Sequence, residues 1–183
     1  VETGVIKAVE KVREVSNVEK INTLGFCIGG TLLTCAAGVM AKQKKDTINS
    51  ITLMASLLEF SDPGILKIFI DESSISMREN SIGQKGVMAG SELASTFSFL
   101  RPDDLIWNYY VTNYLKGEKP VPFDLLYWNG DGANLPGPFY CWYLKNFYLK
   151  DRLKKPNNLT ICGKKIDLKA VMCPIYAMGA KED

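Results

Sequence analysis

Apolar and polar positions in the first third of the chain alternate between helical and strand-like spacing. Valines recur every three or four positions within residues 4–16, which predicts an amphipathic helix. Residues 20–26, KINTLGF, form a short, partly β-branched run that indicates a strand. Helical spacing returns from position 28 to the polar run at 42–46, and residues 48–55, INSITLMA, predict a second, buried strand. This order is typical of the βαβ unit of a parallel sheet.

A long and different segment separates this unit from the next predicted strand at residues 172–178, MCPIYAM. It is far longer than a simple βαβ crossover, and it is rich in aromatic residues and in turn signals such as Asp62-Pro63-Gly64. The sequence therefore predicts an α/β core from residues 1–56 and 171–183. Residues 57–170 are expected to form an inserted cap, or lid, that folds over the sheet edge.

Composition narrows the class of protein. Of the 183 residues, 46% are hydrophobic and 23% are charged, as in an ordinary globular protein, and a net charge of +2 gives no reason to expect nucleic acid. The longest uncharged run, residues 21–41, is interrupted by Asn22, Thr23 and several glycines, so no transmembrane helix is expected. The five scattered cysteines and the lack of histidine argue against a metal site and favour a reducing, cytoplasmic location.

The stretch GFCIGG, which follows the first predicted strand, is the main candidate for chemistry. A G-x-C-x-G pattern suits a sharp strand-to-helix turn, in which Gly25 and Gly29 are expected to prevent collisions and Gly30 to bring the helix close to the sheet. The start of the following helix favours a thiolate at Cys27, and the backbone N–H of Ile28 is then the predicted oxyanion donor. The alternative is a buried, inert cysteine. The remaining cysteines lack such a setting and are interpreted as structural.

The last predicted strand leads to a candidate acid. In α/β-hydrolases the nucleophile, the acid and the histidine follow each other in the chain, and the acid lies on a loop after a late strand. Asp183 occupies that place, although a solvated terminal acid is the alternative. The histidine is expected downstream of Asp183, which makes this chain a fragment that is inactive by itself.

Taken together, these residues resemble the poly(3-hydroxyalkanoate) synthases, and the class I type in particular. The similar blocks are the GFCIGG turn, 60–64, 100–109, 123–131, 134–138 and 181–183. The resemblance implies an α/β-hydrolase fold with a cap, and an acyltransferase that polymerises (R)-3-hydroxyacyl-CoA, chiefly 3-hydroxybutyryl-CoA. By the same resemblance Cys27 carries the acyl chain, Asp183 is the acid of the triad, and no cofactor is required because the CoA thioester is the substrate. Trp128, Asn129 and Asp131 are interpreted as structural.

Partners follow partly from this resemblance and partly from the aromatic content of the predicted cap. The growing polyester chain, a second copy of the protein in a homodimer and granule-surface proteins are expected, with a location on polyester granules in the cytoplasm. Two other functions remain open. One is a hydrolase similar to dienelactone hydrolases, which also carry a G-x-C-x-G-G turn but lack a large aromatic lid. The other is a non-catalytic, granule-associated binding protein of the same fold.

Overall fold

The computed structural model describes residues 1–83, 85–100, 102–120, 122 and 131–180. The chain forms two compact units. Residues 1–62 and 150–183 make up the first, called the core unit here, and residues 63–149 make up the second, called the inserted unit. The sequence places the insertion at 57–170, so the inserted unit of the structure begins later and ends earlier than expected.

The first elements of the core unit follow the predicted order. A π-helical turn at Glu2–Ile6 leads into α1, and the chain then forms β1, α2 and β2. Their bounds are α1 Lys7–Ser16, β1 Ile21–Phe26, α2 Ile28–Lys42 and β2 Ile48–Met54. The helix α1 ends at Asn17, whose backbone is left-handed, a conformation that asparagine tolerates at a helix C-terminus. The strand–turn–helix–strand pattern predicted from the spacing is confirmed.

The inserted unit is mostly helical. Its elements are a 3₁₀ helix Gly64–Phe69, α3 Glu72–Ile82, β3 Val87–Met88, α4 Gly90–Leu100, π-helices Asp103–Trp107 and Tyr110–Leu115, β4 Leu135–Pro136, α5 Gly137–Tyr143 and a π-helix Leu144–Leu149. The two short strands pair antiparallel. Inside this unit Phe147 is fully buried and stacks on Tyr143 with the ring centres 4.5 Å apart.

A β-hairpin that the sequence analysis did not predict belongs to the core unit. Its strands are β5 Leu159–Ile161 and β6 Lys164–Ile166. The two connecting residues, Cys162 and Gly163, both have positive φ, as a type I′ turn requires. The hairpin packs on α2 so closely that a Cβ added at Gly38 would lie 3.3 Å from Cβ of Ile166. The segment is therefore part of the core and not of the cap to which the sequence assigned it.

The last strand, β7, spans Ile175–Met178 and completes a parallel three-stranded sheet in the order β1-β2-β7. The expected strand began at Met172, but the ladder starts only after Pro174, which has no N–H to donate. All four residues of β7 are exposed, whereas β2 is largely buried because it lies between the other two strands. The predicted strand is therefore present, with a later start.

The helix α2 lies at the centre of the core unit. It packs against β1 and β2, and also against the N-terminal π-helix and β6, so almost all its positions from Gly30 to Met40 are buried. A helix enclosed in this way is apolar around most of its circumference. It has 15 residues, and none of the helices within the described ranges has the length and hydropathy of a membrane span.

Candidate active site

Cys27 connects β1 to α2. Its backbone has φ 52° and ψ −129°, a conformation that is strained for a residue with a side chain. The parallel ladder fixes its position, because its N–H donates to the carbonyl of Met54 at 2.9 Å. The residue is exposed. The structure thus places the predicted nucleophile in an accessible, strained turn between a strand and a helix.

The glycines around Cys27 have different roles. A Cβ at Gly25 would overlap Cα of Gly30 and lie 2.7 Å from its backbone nitrogen, so these two glycines bring β1 and α2 into backbone contact. A Cβ at Gly30 would also lie 2.7 Å from Cβ of Ser56. Gly29 differs, since no described atom outside its chain neighbours and the adjacent backbone of α2 lies within 4 Å of a Cβ added there. The steric role expected for Gly25 is confirmed, and the one expected for Gly29 was wrong.

The first turn of α2 supplies the electrostatic feature of the site. The N–H groups of Gly30 and Thr31 point to the carbonyl of Cys27, at 3.0 and 3.4 Å, so the helix begins at Ile28. The N–H of Ile28 precedes the first intrahelical hydrogen bond, and such groups carry the positive end of the helix dipole. No acidic residue lies in this first turn, so no neighbouring negative charge there counteracts the positive end of the dipole. The turn can therefore stabilise negative charge beside Cys27.

The carboxyl ends of the three strands are aligned at one edge of the sheet. Phe26 pairs with Met54, and Met54 pairs with Met178. The N–H of Ala55 donates to the carbonyl of Met178 at 2.8 Å, as that of Cys27 does to Met54. The loop that follows β7 therefore leaves the same edge as Cys27, two strand spacings away, or roughly 10 Å. Asp183, Trp128 and Asn129 lie outside the described residues, while Asp131 is described and exposed.

A second strained turn, at residues 55–57, lies beside Cys27. Ala55 has φ 47°, unusual for a residue other than glycine or asparagine. The hydroxyl of Ser56 donates to the carbonyl of Met54 at 3.1 Å, and that of Thr31 donates to the carbonyl of Leu57 at 2.7 Å. Sequence reasoning did not identify these residues. The available signal was a threonine inside the otherwise apolar helix after Cys27.

The other cysteines differ from Cys27. Cys35 is fully buried within α2, and burial raises the pKa of its thiol to about 12. Burial also raises the pKa of Cys141 and of Cys173. Cys162 is half-buried and has a positive φ, but it lies in the hairpin turn and precedes no helix. Cys27 alone of the five is both exposed and placed at a helix start.

No cluster of metal ligands is found in the described part of the chain, and an open cavity lies away from Cys27. Among the residues that the structure describes, no group of three or more potential ligands (histidine, cysteine, aspartate or glutamate) could hold a metal ion. An open cavity of about 490 Å³ lies at the opposite edge of the sheet, lined by residues such as Lys20, Ile48 and Cys173 next to the amino ends of the strands. The chemistry that the site offers is that of a thiol at a helix N-terminus.

The sequence of this chain is similar to those of known proteins. The model of the α/β-hydrolase fold family matches residues 3–183. The poly(3-hydroxyalkanoate) polymerase subunit PhaC of Cupriavidus necator is 50% identical over 188 aligned residues, which cover all of this chain and 32% of that protein. The subunit of the same name from Rhizobium meliloti is 38% identical, covering 98% of the chain and 29% of the relative, and polymerase 1 of Ectopseudomonas oleovorans is 37% identical, covering 97% and 32%.

The chain thus spans about a third of the length of these relatives. The expected fold class is confirmed, and the sequence similarity to the polymerases extends over the whole chain. The parallel sheet, the cysteine between β1 and α2 and the family match lead to one conclusion: this chain belongs to the α/β-hydrolase fold family, in which it is similar to the poly(3-hydroxyalkanoate) polymerases.

Proposed function

We propose that this chain carries the nucleophile of an acyltransferase that polymerises (R)-3-hydroxyacyl-CoA into a polyester. The observation that supports this most strongly is the strained and exposed position of Cys27 directly before α2. The similarity to proteins named poly(3-hydroxyalkanoate) polymerases supports the substrate class.

The chemistry requires two acyl transfers at Cys27. The thiolate of Cys27 attacks the thioester carbonyl of the substrate, a C–S bond to Cys27 forms, and CoA leaves as its thiolate. The N–H of Ile28 stabilises the oxyanion of the tetrahedral intermediate from the start of α2. In the second transfer a hydroxyl group attacks the acyl-Cys27 thioester, giving an ester and regenerating the Cys27 thiol. That hydroxyl must lose a proton to a base.

We propose that the base is a histidine outside this chain, since the 183 residues contain none. We propose that Asp183 orients such a histidine. The alignment of the carboxyl ends of β1, β2 and β7 supports this role, since the chain leaves β7 at the sheet edge where Cys27 lies. A separation of roughly 10 Å between the first and third strands leaves room for an imidazole between an acid and a thiol. By itself, the 183-residue chain is expected to release no CoA from the substrate.

The test compares two cysteine variants of the full-length protein. We expect Cys27→Ala to abolish CoA release from (R)-3-hydroxybutyryl-CoA and to remove the acyl adduct found by peptide mass spectrometry. Cys162→Ala is the matched control, because that cysteine also has a positive φ but precedes no helix. Full activity of Cys27→Ala would refute the proposal. Free 3-hydroxybutyrate as the main product, in place of polymer, would indicate a hydrolase.

The substrate is proposed to carry a short acyl chain, chiefly 3-hydroxybutyryl. This rests on the resemblance to class I synthases. Each methylene in an apolar pocket changes discrimination by only about 1–3 kcal/mol, so the preference is expected to be graded. The ratio of kcat/KM for 3-hydroxybutyryl-CoA to that for 3-hydroxydecanoyl-CoA measures it, and a ratio below one would exclude the short-chain preference.

We propose that the inserted unit contributes contacts to a polyester chain, to granule-surface proteins and to a second copy of the protein on cytoplasmic granules. Support comes from large apolar side chains that this unit leaves exposed, among them Phe99, Trp107 and Tyr114. Such surfaces are common at interaction sites. Sedimentation of the protein over a range of concentrations tests the homodimer, and Tyr114→Ser is expected to shift the equilibrium towards the monomer.

A further inference from the structure

The loop that follows β2 and the first turn of α2 are joined by two hydroxyl groups. We infer that Thr31 and Ser56 are positioning residues that hold the backbone of Cys27 in its strained conformation. This inference rests on the proposed role of Cys27 as nucleophile. It assigns no contact with substrate to either residue.

Thr31 provides the first connection. Its side chain is 1% exposed, and its hydroxyl donates to the carbonyl of Leu57 at 2.7 Å. The residue lies in the first turn of α2, and its N–H points back to the carbonyl of Cys27. Because a buried hydroxyl without a partner is unfavourable, this bond keeps residue 57 against the helix start. The side chain thus couples the loop after β2 to the turn that carries Cys27.

Ser56 provides the second connection. Its hydroxyl donates to the carbonyl of Met54, the same oxygen that accepts the N–H of Cys27, and it lies 3.4 Å from the carbonyl of Gly25. Its Cβ fills the space beside Gly30, where an added methyl group would collide with it. Ser56 therefore lies against both sides of the Cys27 turn, the end of β1 and the start of α2.

The two strained residues explain why such connections are needed. Cys27 and Ala55 have positive φ and directly follow neighbouring strands, β1 and β2. Each strained backbone persists only where surrounding contacts hold it. Without the two hydroxyls, the loop and the helix start could relax, and the thiol of Cys27 would move relative to the N–H of Ile28. The expected consequence is a less stabilised thiolate and a slower acyl transfer.

The experiment uses Thr31→Val and Ser56→Ala in the full-length protein, with Thr34→Val as matched control. Thr34 lies one turn later in α2 and is 2% exposed, but its hydroxyl donates to the carbonyl of Gly30 within the same helix. Three properties are measured: the melting temperature, the rate of Cys27 alkylation by iodoacetamide between pH 6 and 10, resolved by peptide mass spectrometry, and kcat with KM for 3-hydroxybutyryl-CoA.

We expect Thr31→Val and Ser56→Ala to lower kcat by roughly five- to tenfold, the value of one hydrogen bond, with KM little changed. The rate of Cys27 alkylation should fall in both variants, and Thr31→Ser should keep the rate of the wild type. Thr34→Val should alter only the melting temperature. The inference is overturned if Thr31→Val leaves the alkylation profile and kcat as in the wild type, or if Thr34→Val reproduces its effects. Should Thr31→Val fail to fold, Ser56→Ala decides by the same criteria.

The two proposals fail in different ways. Alkylation of Cys27 reports the state of its thiol whether or not the protein transfers acyl groups. An active Cys27→Ala protein would refute the proposed function and leave the alkylation result standing. A Thr31→Val protein with both the alkylation profile and the kcat of the wild type would refute the positioning role and leave Cys27 as the nucleophile.

Discussion

Alanine at Gly25 is expected to destabilise the protein strongly, whereas alanine at Gly29 is not, although the two flank Cys27 symmetrically in the sequence. A methyl group at Gly25 would overlap Cα of Gly30 and lie 2.7 Å from its nitrogen and 3.1 Å from the carbonyl carbon of Gly29. All three atoms belong to the backbone, so no side chain can rotate away. Favourable carbon contacts lie near 3.5–4.0 Å, so β1 and α2 would have to separate by roughly 1 Å.

The magnitude follows from this geometry. Overpacking that side chains absorb costs about 1–3 kcal/mol, and displacement of a buried backbone contact lies at or above the upper end, at about 3 kcal/mol. For a protein of this size that corresponds to a loss of roughly 6–12 °C in Tm. At Gly29 the methyl group meets no described atom outside its chain neighbours and the adjacent helix backbone, and alanine favours the helix over glycine by up to about 1 kcal/mol.

The assay is thermal and urea unfolding of the two variants, followed by far-UV circular dichroism. Gly25→Ala is expected to lower Tm, and Gly29→Ala to leave it unchanged or raise it by roughly 2–4 °C. The reasoning would be refuted by a Gly25→Ala protein within about 2 °C of the wild type. Equal losses in both variants would refute it too, because they would show that the close approach of β1 and α2 does not decide the outcome.

Three further outcomes are expected. Cys35, whose thiol has a pKa raised by burial to about 12, should resist alkylation at pH 8 until the protein unfolds, whereas Cys27 should react, and peptide mass spectrometry distinguishes them. A hydrogen bond from Lys154 lowers the pKa of Glu59 below its ordinary 4.5, so this contribution to stability is present above that pH and is lost as the pH falls through the lower, folded-state pKa. Lys154→Met should therefore weaken the decrease in unfolding free energy at acidic pH, and an unaltered decrease would contradict this. Asp151, with φ 43°, accepts a hydrogen bond from the N–H of Phe60 at 2.9 Å. Asp151→Ala should lower the free energy of unfolding in urea by about 1–3 kcal/mol, and Asp151→Asn should lower it clearly less, since asparagine keeps both the acceptor and the left-handed backbone. Equal losses in the two variants would contradict this prediction.

The sequence by itself determined the local elements near Cys27. Helical spacing of apolar residues identifies α1 and α2, and short runs that contain β-branched residues identify β1 and β2. The turn at Cys27 follows from its glycines and from the strand and helix on either side. The family resemblance is likewise a property of the sequence, carried by blocks that a single chain displays.

Tertiary structure decided the features that depend on neighbours distant in the chain. The strands β5 and β6 have three residues each, too few for a periodic signal, and they form a hairpin on α2 because Ile166 packs beside Gly38. The apolar run at β7 predicts a strand but cannot reveal that the strand lies at the end of the described sheet and remains exposed.

Contacts between distant segments also determine the roles of the glycines and the hydroxyl groups around the candidate nucleophile. A Cβ at Gly25 would collide with Gly30, whereas one at Gly29 would meet no described atom outside its own helix and chain neighbours, a distinction that no spacing encodes. Thr31 and Ser56 are ordinary polar residues in the sequence, and the loop after β2 reaches α2 and the end of β1 only because β2 lies beside β1. Local periodicity fixes which segment forms a strand or a helix, but contacts between segments decide which residues hold Cys27 in place.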